Sequence, residues 1–459
     1  MHLSSLSSPY GIGTMGKEAR EFVDFLEESG QAYWQLLPIG PTGYGDSPYQ
    51  SYSTFAGNAY FIDLDELVKD GLLKEGELKE IDWESELYRV NYGALYEKRY
   101  EVLAKATERF SQAPTQDFDA FCKENDFWLN DYAEFMTRKD NRSGQGSMYW
   151  KILQYFFFQQ WKNLKAYANE RGVSLIGDLP IYVSQDSVEL WAHPELFQMD
   201  QEGYPTEVAG CPPDGFSEDG QLWGNPLYDW ERMEKDRYSW WVRRIAYLCD
   251  IYDVLRIDHF RGFAGYYAIP YGETTAKNGR WRKGPGMKLF DAVEQSIGKK
   301  NIIAEDLGHI TDDVRELLKS SGFPGMKILQ FAFDSRDEGE AEYLPHNYEE
   351  HCVAYAGTHD NNTIMGWFEE TKAEDVAYAR EYLGMQEDDA PNWAMMDTLW
   401  NSNAELVVVT AQDLLGLGSE ARMNAPSTIG KNWQWRALPG VFTTELAKKI
   451  RERMEKYQR

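Results

Sequence analysis

Two periodicities alternate along this chain. Residues 17–29 (KEAREFVDFLEES) space their apolar side chains as one face of a helix, Gly30 ends the pattern, and the apolar run 33–39 (YWQLLPI) follows as an expected strand. The couple then recurs. A helix over 151–171 leads to a strand over 174–183 (SLIGDLPIYV), and one over 230–249 leads to 254–257 (VLRI). Helices over 288–297 and 312–320 precede 301–304 (NIIA) and 327–331 (KILQF). Residues 352–356 make a further strand, and a helix over 393–401 precedes the seventh, 406–410 (LVVVT).

Short, nearly continuous apolar strands separated by helices are the mark of a parallel sheet buried on both faces. An open doubly wound sheet and a (β/α)8 barrel with one strand uncounted both fit. No GxGxxG follows any of the strands, which weakens the dinucleotide-binding option. The expected fold is therefore α/β, a (β/α)8 TIM-type barrel spanning 1–459 as one catalytic unit. Residues 59–148 fall outside the alternation and read as a largely helical insertion after the second strand. Residues 184–228, rich in Pro, Gly, Asp and Trp, read as a loop-rich insertion after the third, with CPPDGFS lying over the barrel mouth.

Charge narrows the partners. The formal net charge is -28, from 75 acidic against 47 basic side chains. Such a surface repels phosphate backbones and anionic lipid, so neither nucleic acid nor a membrane is expected, and a neutral substrate fits. The 16 Trp and 29 Tyr offer flat faces with polar tips, suited to stacking on sugar rings as well as to filling a large core. The cysteines Cys122, Cys211, Cys249 and Cys352 are scattered without a CxxC, and no leader or long apolar run appears, which reads as a cytoplasmic protein.

In a barrel, catalytic groups stand just past the carboxyl ends of the strands. Those places hold Asp178, Arg256 with Asp258, Glu305 with Asp306, His359 with Asp360, and Gln412 with Asp413. A single Asp there often caps the next helix. Asp258, Glu305 and Asp360, each ending its own strand, would repel one another in one pocket, and chemistry is the simpler reason to keep them together. Two chemistries use such a cluster. One is glycosyl transfer through a covalent intermediate; the other is metal-assisted hydrolysis, with His259, His309 and His359 as available ligands. There is no HxH pair and no HExxH. Arg256, two residues before Asp258, projects to the same side of the strand; it would hold Asp258 ionised and would repel a metal cation. Sugar chemistry is favoured, with no metal and no cofactor.

The segments LRIDHFRG, IIAEDLG and GTHDNNT resemble the catalytic motifs of the amylomaltases, the 4-α-glucanotransferases or disproportionating enzymes of the α-amylase-like clan. LLPIGPTGYGDSPYQSYSTFAGN and CPPDGFSEDGQLWGNPLYDW extend the resemblance, which runs from about residue 4 to residue 435. It implies Asp258 as nucleophile, Glu305 as general acid/base, and Asp360 as the group holding the hydroxyls of the distorted sugar, assisted by His359 and Arg256. It implies substrate contacts at Tyr44, Asp46 and Tyr49, at Asp214, Phe216 and Trp223 on a loop over the cleft, and at Asn424 on a facing loop; Asp178, at its strand end, is expected to bind substrate with them. The implied substrates are malto-oligosaccharides or starch- and glycogen-derived glucans, with glucose or a glucan as acceptor. The family pattern carries a full apolar strand before its Leu-His-Ser-Ser-Leu-type segment, whereas this chain starts at Met1-His2-Leu3, so the first strand is expected to be mostly absent. A retaining α-glucan hydrolase and a non-catalytic glucan-binding protein are the competing readings.

Overall fold

The computed structural model describes residues 1–84, 86–140, 145–213, 218–308, 310–334 and 340–459. Among them lie the strands β1 (Tyr33–Gln35), β2 (Ser174–Leu179), β3 (Glu207–Cys211), β4 (Gln221–Pro226), β5 (Val254–Ile257), β6 (Gly265–Pro270), β7 (Arg280–Lys283), β8 (Ile302–Ala304), β9 (Gly325–Ile328), β10 (Cys352–Tyr355) and β11 (Leu406–Val408). Seven of these form one parallel sheet in the order β1-β2-β5-β8-β9-β10-β11. That order follows the chain without reversing, so there is no switch point of the kind a doubly wound sheet requires. The sheet curls into a nearly closed barrel with β1 and β11 as its edges among the described residues.

Each strand is short for a local reason. β2 was expected to run to residue 183 and stops before Pro180, which has no N–H to give the ladder. β9 begins at Gly325, two residues before the expected start, and gives way to a 3-10 turn, Leu329–Phe333. Gly325 fits because a Cβ there would sit 2.7 Å from the Asp306 carboxylate. That carboxylate accepts the Met326 N–H at 2.7 Å and so fixes where β9 starts.

The first barrel helix buries a single stripe. In Lys17–Glu28 it is Ala19, Phe22, Val23, Phe25 and Leu26, and Gly30 at φ 78 stops the helix as expected. The single helix expected over 230–249 is two, Trp230–Lys235 and Ser239–Ile251. Between them Arg237 and Tyr238 adopt φ 59 and 57. This left-handed corner is held because it swings Tyr238 into the core, where it is 3% exposed.

Between β1 and β2 lie the helices Leu64–Lys69, Glu75–Lys79, Tyr92–Ser111, Gln116–Glu124 and Asp126–Lys139. Asn91 and Thr115 cap two of them by accepting backbone N–H groups. Residues 184–228 contain more regular structure than expected. β3 and β4 join β6 and β7 in an antiparallel sheet of order β4-β3-β6-β7, so Trp223 belongs to a strand rather than a loop. β7 (RWRK) is exposed along its length and shows no inward stripe; it is held by Glu207, which pairs with Arg280 and Arg282, each at 2.8 Å. Among the described residues no helix is long and apolar enough to cross a membrane.

Candidate active site

β5 brings Arg256 into the barrel and leaves Asp258 at its mouth. Arg256 is buried, at register with Asp178 on β2. Its Nη1 donates to both Asp178 oxygens, at 2.8 and 2.7 Å, and reaches Asp258 Oδ1 at 3.2 Å. Asp178 also accepts the Tyr49 hydroxyl at 2.7 Å. The cation expected to hold Asp258 ionised is therefore shared, and its shorter contacts go to Asp178. Burial pushes the Asp258 carboxyl above its ordinary range, against the pull of Arg256.

After Asp258 the backbone turns sharply, with His259 at φ 50. This strained corner aims the His259 N–H at Glu305, whose Oε2 accepts it at 2.6 Å, while Oε1 accepts the Leu307 N–H at 2.9 Å. The Phe260 N–H bonds the Glu305 carbonyl at 2.9 Å, and the Glu305 N–H bonds the Ile257 carbonyl at 2.9 Å. Neighbouring strands thus lock the two carboxylates to one another through the main chain. Burial first, and then the charge of Asp258, raise the Glu305 carboxyl well above the usual range. Of the two, Asp258 loses its proton more easily because Arg256 touches it. The ring of His259 stands edge-on to Trp223 at 4.8 Å, and burial lowers its pKa to about 3, so it is a neutral aromatic neighbour.

Asp360 faces this pair from the loop after β10. Asn424 Nδ2 donates to Asp360 Oδ1 at 2.6 Å, His359 Nε2 lies 3.4 Å from Oδ2, and Arg422 donates to the Asp360 carbonyl at 2.6 Å. His359 stacks on Tyr49, centroids 5.0 Å apart, with Trp433 at 5.7 Å. One continuous network therefore joins Tyr49, Asp178, Arg256, Asp258, His359, Asp360 and Asn424, and main-chain bonds add Glu305. Arg422 and Trp433 were missed; the aromatic cluster NWQW around Trp433 was the available sign.

Other expected residues have different places. Tyr44 is 94% exposed on the turn closed by the Thr42–Ser51 bridge. Asp46 shares that turn at φ 59, with burial raising its carboxyl to about 6. Asp214, Phe216 and His309 lie outside the described residues. Asp306, Gln412 and Asp413 do structural work: Asp413 accepts the Ile364 N–H and the Thr410 hydroxyl, and Gln412 binds the Ala421 carbonyl.

A family model described as 4-alpha-glucanotransferase matches residues 1–151 and 138–441. A 4-alpha-glucanotransferase of Clostridium butyricum is 48% identical over 98% of both chains. The chain belongs to the 4-α-glucanotransferase family. Its activity is that of the family, transfer rather than hydrolysis, and the resemblance read from the motifs holds. A Thermus thermophilus 4-alpha-glucanotransferase is 43% identical over 100% of this chain and 98% of its own. Among solved structures, an amylomaltase from Streptococcus agalactiae in complex with acarbose matches 100% of this chain and 98% of its own, with TM-score 0.96 and 40% identity. Together with the seven-stranded parallel sheet, this makes the fold of the 4-α-glucanotransferase a (β/α)8 TIM-type barrel.

Proposed function

We propose that this 4-α-glucanotransferase moves α-1,4-glucan segments between malto-oligosaccharides by double displacement with retention. Asp258 attacks the anomeric carbon while Glu305 gives its proton to the glycosidic oxygen, and the leaving glucan departs with a free 4-hydroxyl. The glycosyl ester on Asp258 is then attacked by the 4-hydroxyl of an acceptor, whose proton returns to Glu305. Asp360 holds hydroxyls of the distorted sugar, with Asn424 and His359 orienting it. Arg256, Asp178 and Tyr49 line the donor side, and Trp223 covers the cleft. Tyr44 and Asp46 contact glucose units further out. The catalytic unit is a single barrel over 1–459, with 59–148 as a helical insertion and 184–228 as an insertion over the cleft, working in the cytoplasm without a cofactor.

The observation that carries this reading is the asymmetry of the locked pair. Burial raises both carboxyls, but Asp258 touches the Arg256 guanidinium, which favours it as the ionised nucleophile and leaves Glu305, raised further by its neighbour's charge, as the acid. The acarbose bound by the amylomaltase of Streptococcus agalactiae supports an oligosaccharide substrate. Incubation with maltotriose is expected to yield glucose together with a ladder of longer oligosaccharides. Maltose and glucose without longer products would instead mark a retaining hydrolase and overturn the reading.

A further inference from the structure

The loops that carry Asp258 and Glu305 continue outward and wall a second cavity of about 630 Å³, within the roughly 300–1,000 Å³ of small-molecule sites. Arg261, Trp281, Lys283, Thr311, Asp313 and Glu316 line it, and no member of the network above does. Arg261 is the unusual feature. It sits on the 3-10 turn Phe260–Phe263, pinned because Phe260 and Phe263 on either side are fully buried. Its own side chain is 4% exposed, with the guanidinium 3.9 Å from the centre of the Trp281 ring. Nη2 makes one long contact, 3.5 Å to Thr311 Oγ1, while Nε and Nη1 have no hydrogen-bond partner among the described residues. Buried guanidinium N–H groups left unpaired are costly, and a ligand that accepts from them relieves the cost.

The remaining lining indicates what kind of ligand. Lys283 adds donors, Asp313 and Glu316 add acceptors, and Trp281 adds a flat ring that is 42% exposed. For a free anion the two carboxylates and the chain's charge of -28 would be repulsive. A neutral polyhydroxylated chain uses donors, acceptors and ring together. Position adds a direction. Glu305 acts on the bond to the leaving and entering glucan, and both cavity walls extend from its loop and from that of Asp258. Asp360 and Asn424 approach from the other side of the mouth.

We propose that this cavity binds the distal glucose units of the acceptor glucan, with Arg261 donating to their hydroxyls and Trp281 stacking on them. The inference rests on the transferase mechanism above and extends it to acceptor length. The test uses maltotriosyl fluoride as donor and compares glucose with maltohexaose as acceptor. In Trp281→Ala and Arg261→Met the KM for maltohexaose is expected to rise about tenfold relative to that for glucose, the change expected from losing one good contact. The exposed pair Lys283→Ala and Glu316→Gln, which leaves the buried turn intact, should raise the same ratio about threefold. An unchanged ratio in all four variants, with wild-type transfer normal, overturns the cavity assignment alone. Absence of wild-type transfer overturns both readings. Inorganic phosphate competing with maltohexaose at millimolar concentration would make the cavity an anion site and also overturn the proposal.

Discussion

The two sides of the barrel mouth hold their carboxylates by different means. On the β5–β8 side, Glu305 is 8% exposed and gripped by two backbone N–H groups, and the Asp258 side chain, 26% exposed, has a buried guanidinium behind it. On the β10 side, the Asp360 side chain is 47% exposed and is held by Asn424, a side chain 64 residues further on in a separate loop. The first side is set by strand pairing and changes protonation chemistry through burial. The second depends on a loop contact and leaves its carboxylate half exposed, as the proposed contact with sugar hydroxyls requires. A mouth built this way keeps Asp258 and Glu305, the proposed bond-making groups, rigid while Asp360, the proposed sugar-holding group, can adjust.

The sharpest break of this contrast is Asp258→Asn. Loss of the proposed nucleophile should lower kcat by about 10⁴-fold or more, with oligosaccharide binding retained. Stability should move the opposite way. Because the folded state holds Asp258 and Glu305 protonated to higher pH than the unfolded chain does, wild-type stability falls as pH rises from the ordinary carboxylate range through their raised values. Asn removes one of these groups, so the variant should melt about 2 °C higher at neutral pH and show a shallower pH slope. A lower melting temperature would mean that Arg256 outweighs burial at this carboxylate.

Glu305→Gln should cost about 10³-fold in kcat. It should not gain stability as Asp258→Asn does, because an amide oxygen can accept only one of the two N–H bonds now made to Oε1 and Oε2. In the wild type the Glu305 proton persists above the usual carboxylate range. The alkaline limb of kcat/KM should therefore lie at correspondingly high pH, with activity falling as pH rises through it; a limb near pH 4 would remove Glu305 from the acid role.

Asp360→Asn tests the wetter side, with a loss of about 10²-fold in kcat and little change in melting temperature. Asn424→Ala, which only frees Asp360, should cost about tenfold and chiefly in kcat/KM. Equal losses for Asn424→Ala and Asp360→Asn would show that the loop contact, rather than the carboxylate, is what that side contributes.

Legibility followed the same physics. The β5 and β10 strands were readable as VLRI and CVAYA because a strand buried on both faces needs an unbroken apolar run. Asp258, Glu305 and Asp360 were readable because charge at the end of such a run is expensive. The antiparallel sheet was not, since β7 is exposed along its length and its partners are interrupted by Pro and Gly. The corner at Arg237 and Tyr238 was equally invisible, because a continuous apolar pattern does not record a left-handed turn.

By itself the chain determined the barrel, the strand-end carboxylates and the family, because each is written in local pattern and motif. Only the tertiary structure decided that Arg256 serves Asp178 before Asp258, that the His259 N–H holds Glu305, and that Arg261 is buried with unpaired donors. These depend on differences of a few tenths of an ångström in the separations of groups on different elements. A hydrogen bond or a shared charge is settled at that scale, and residue order alone does not reach it.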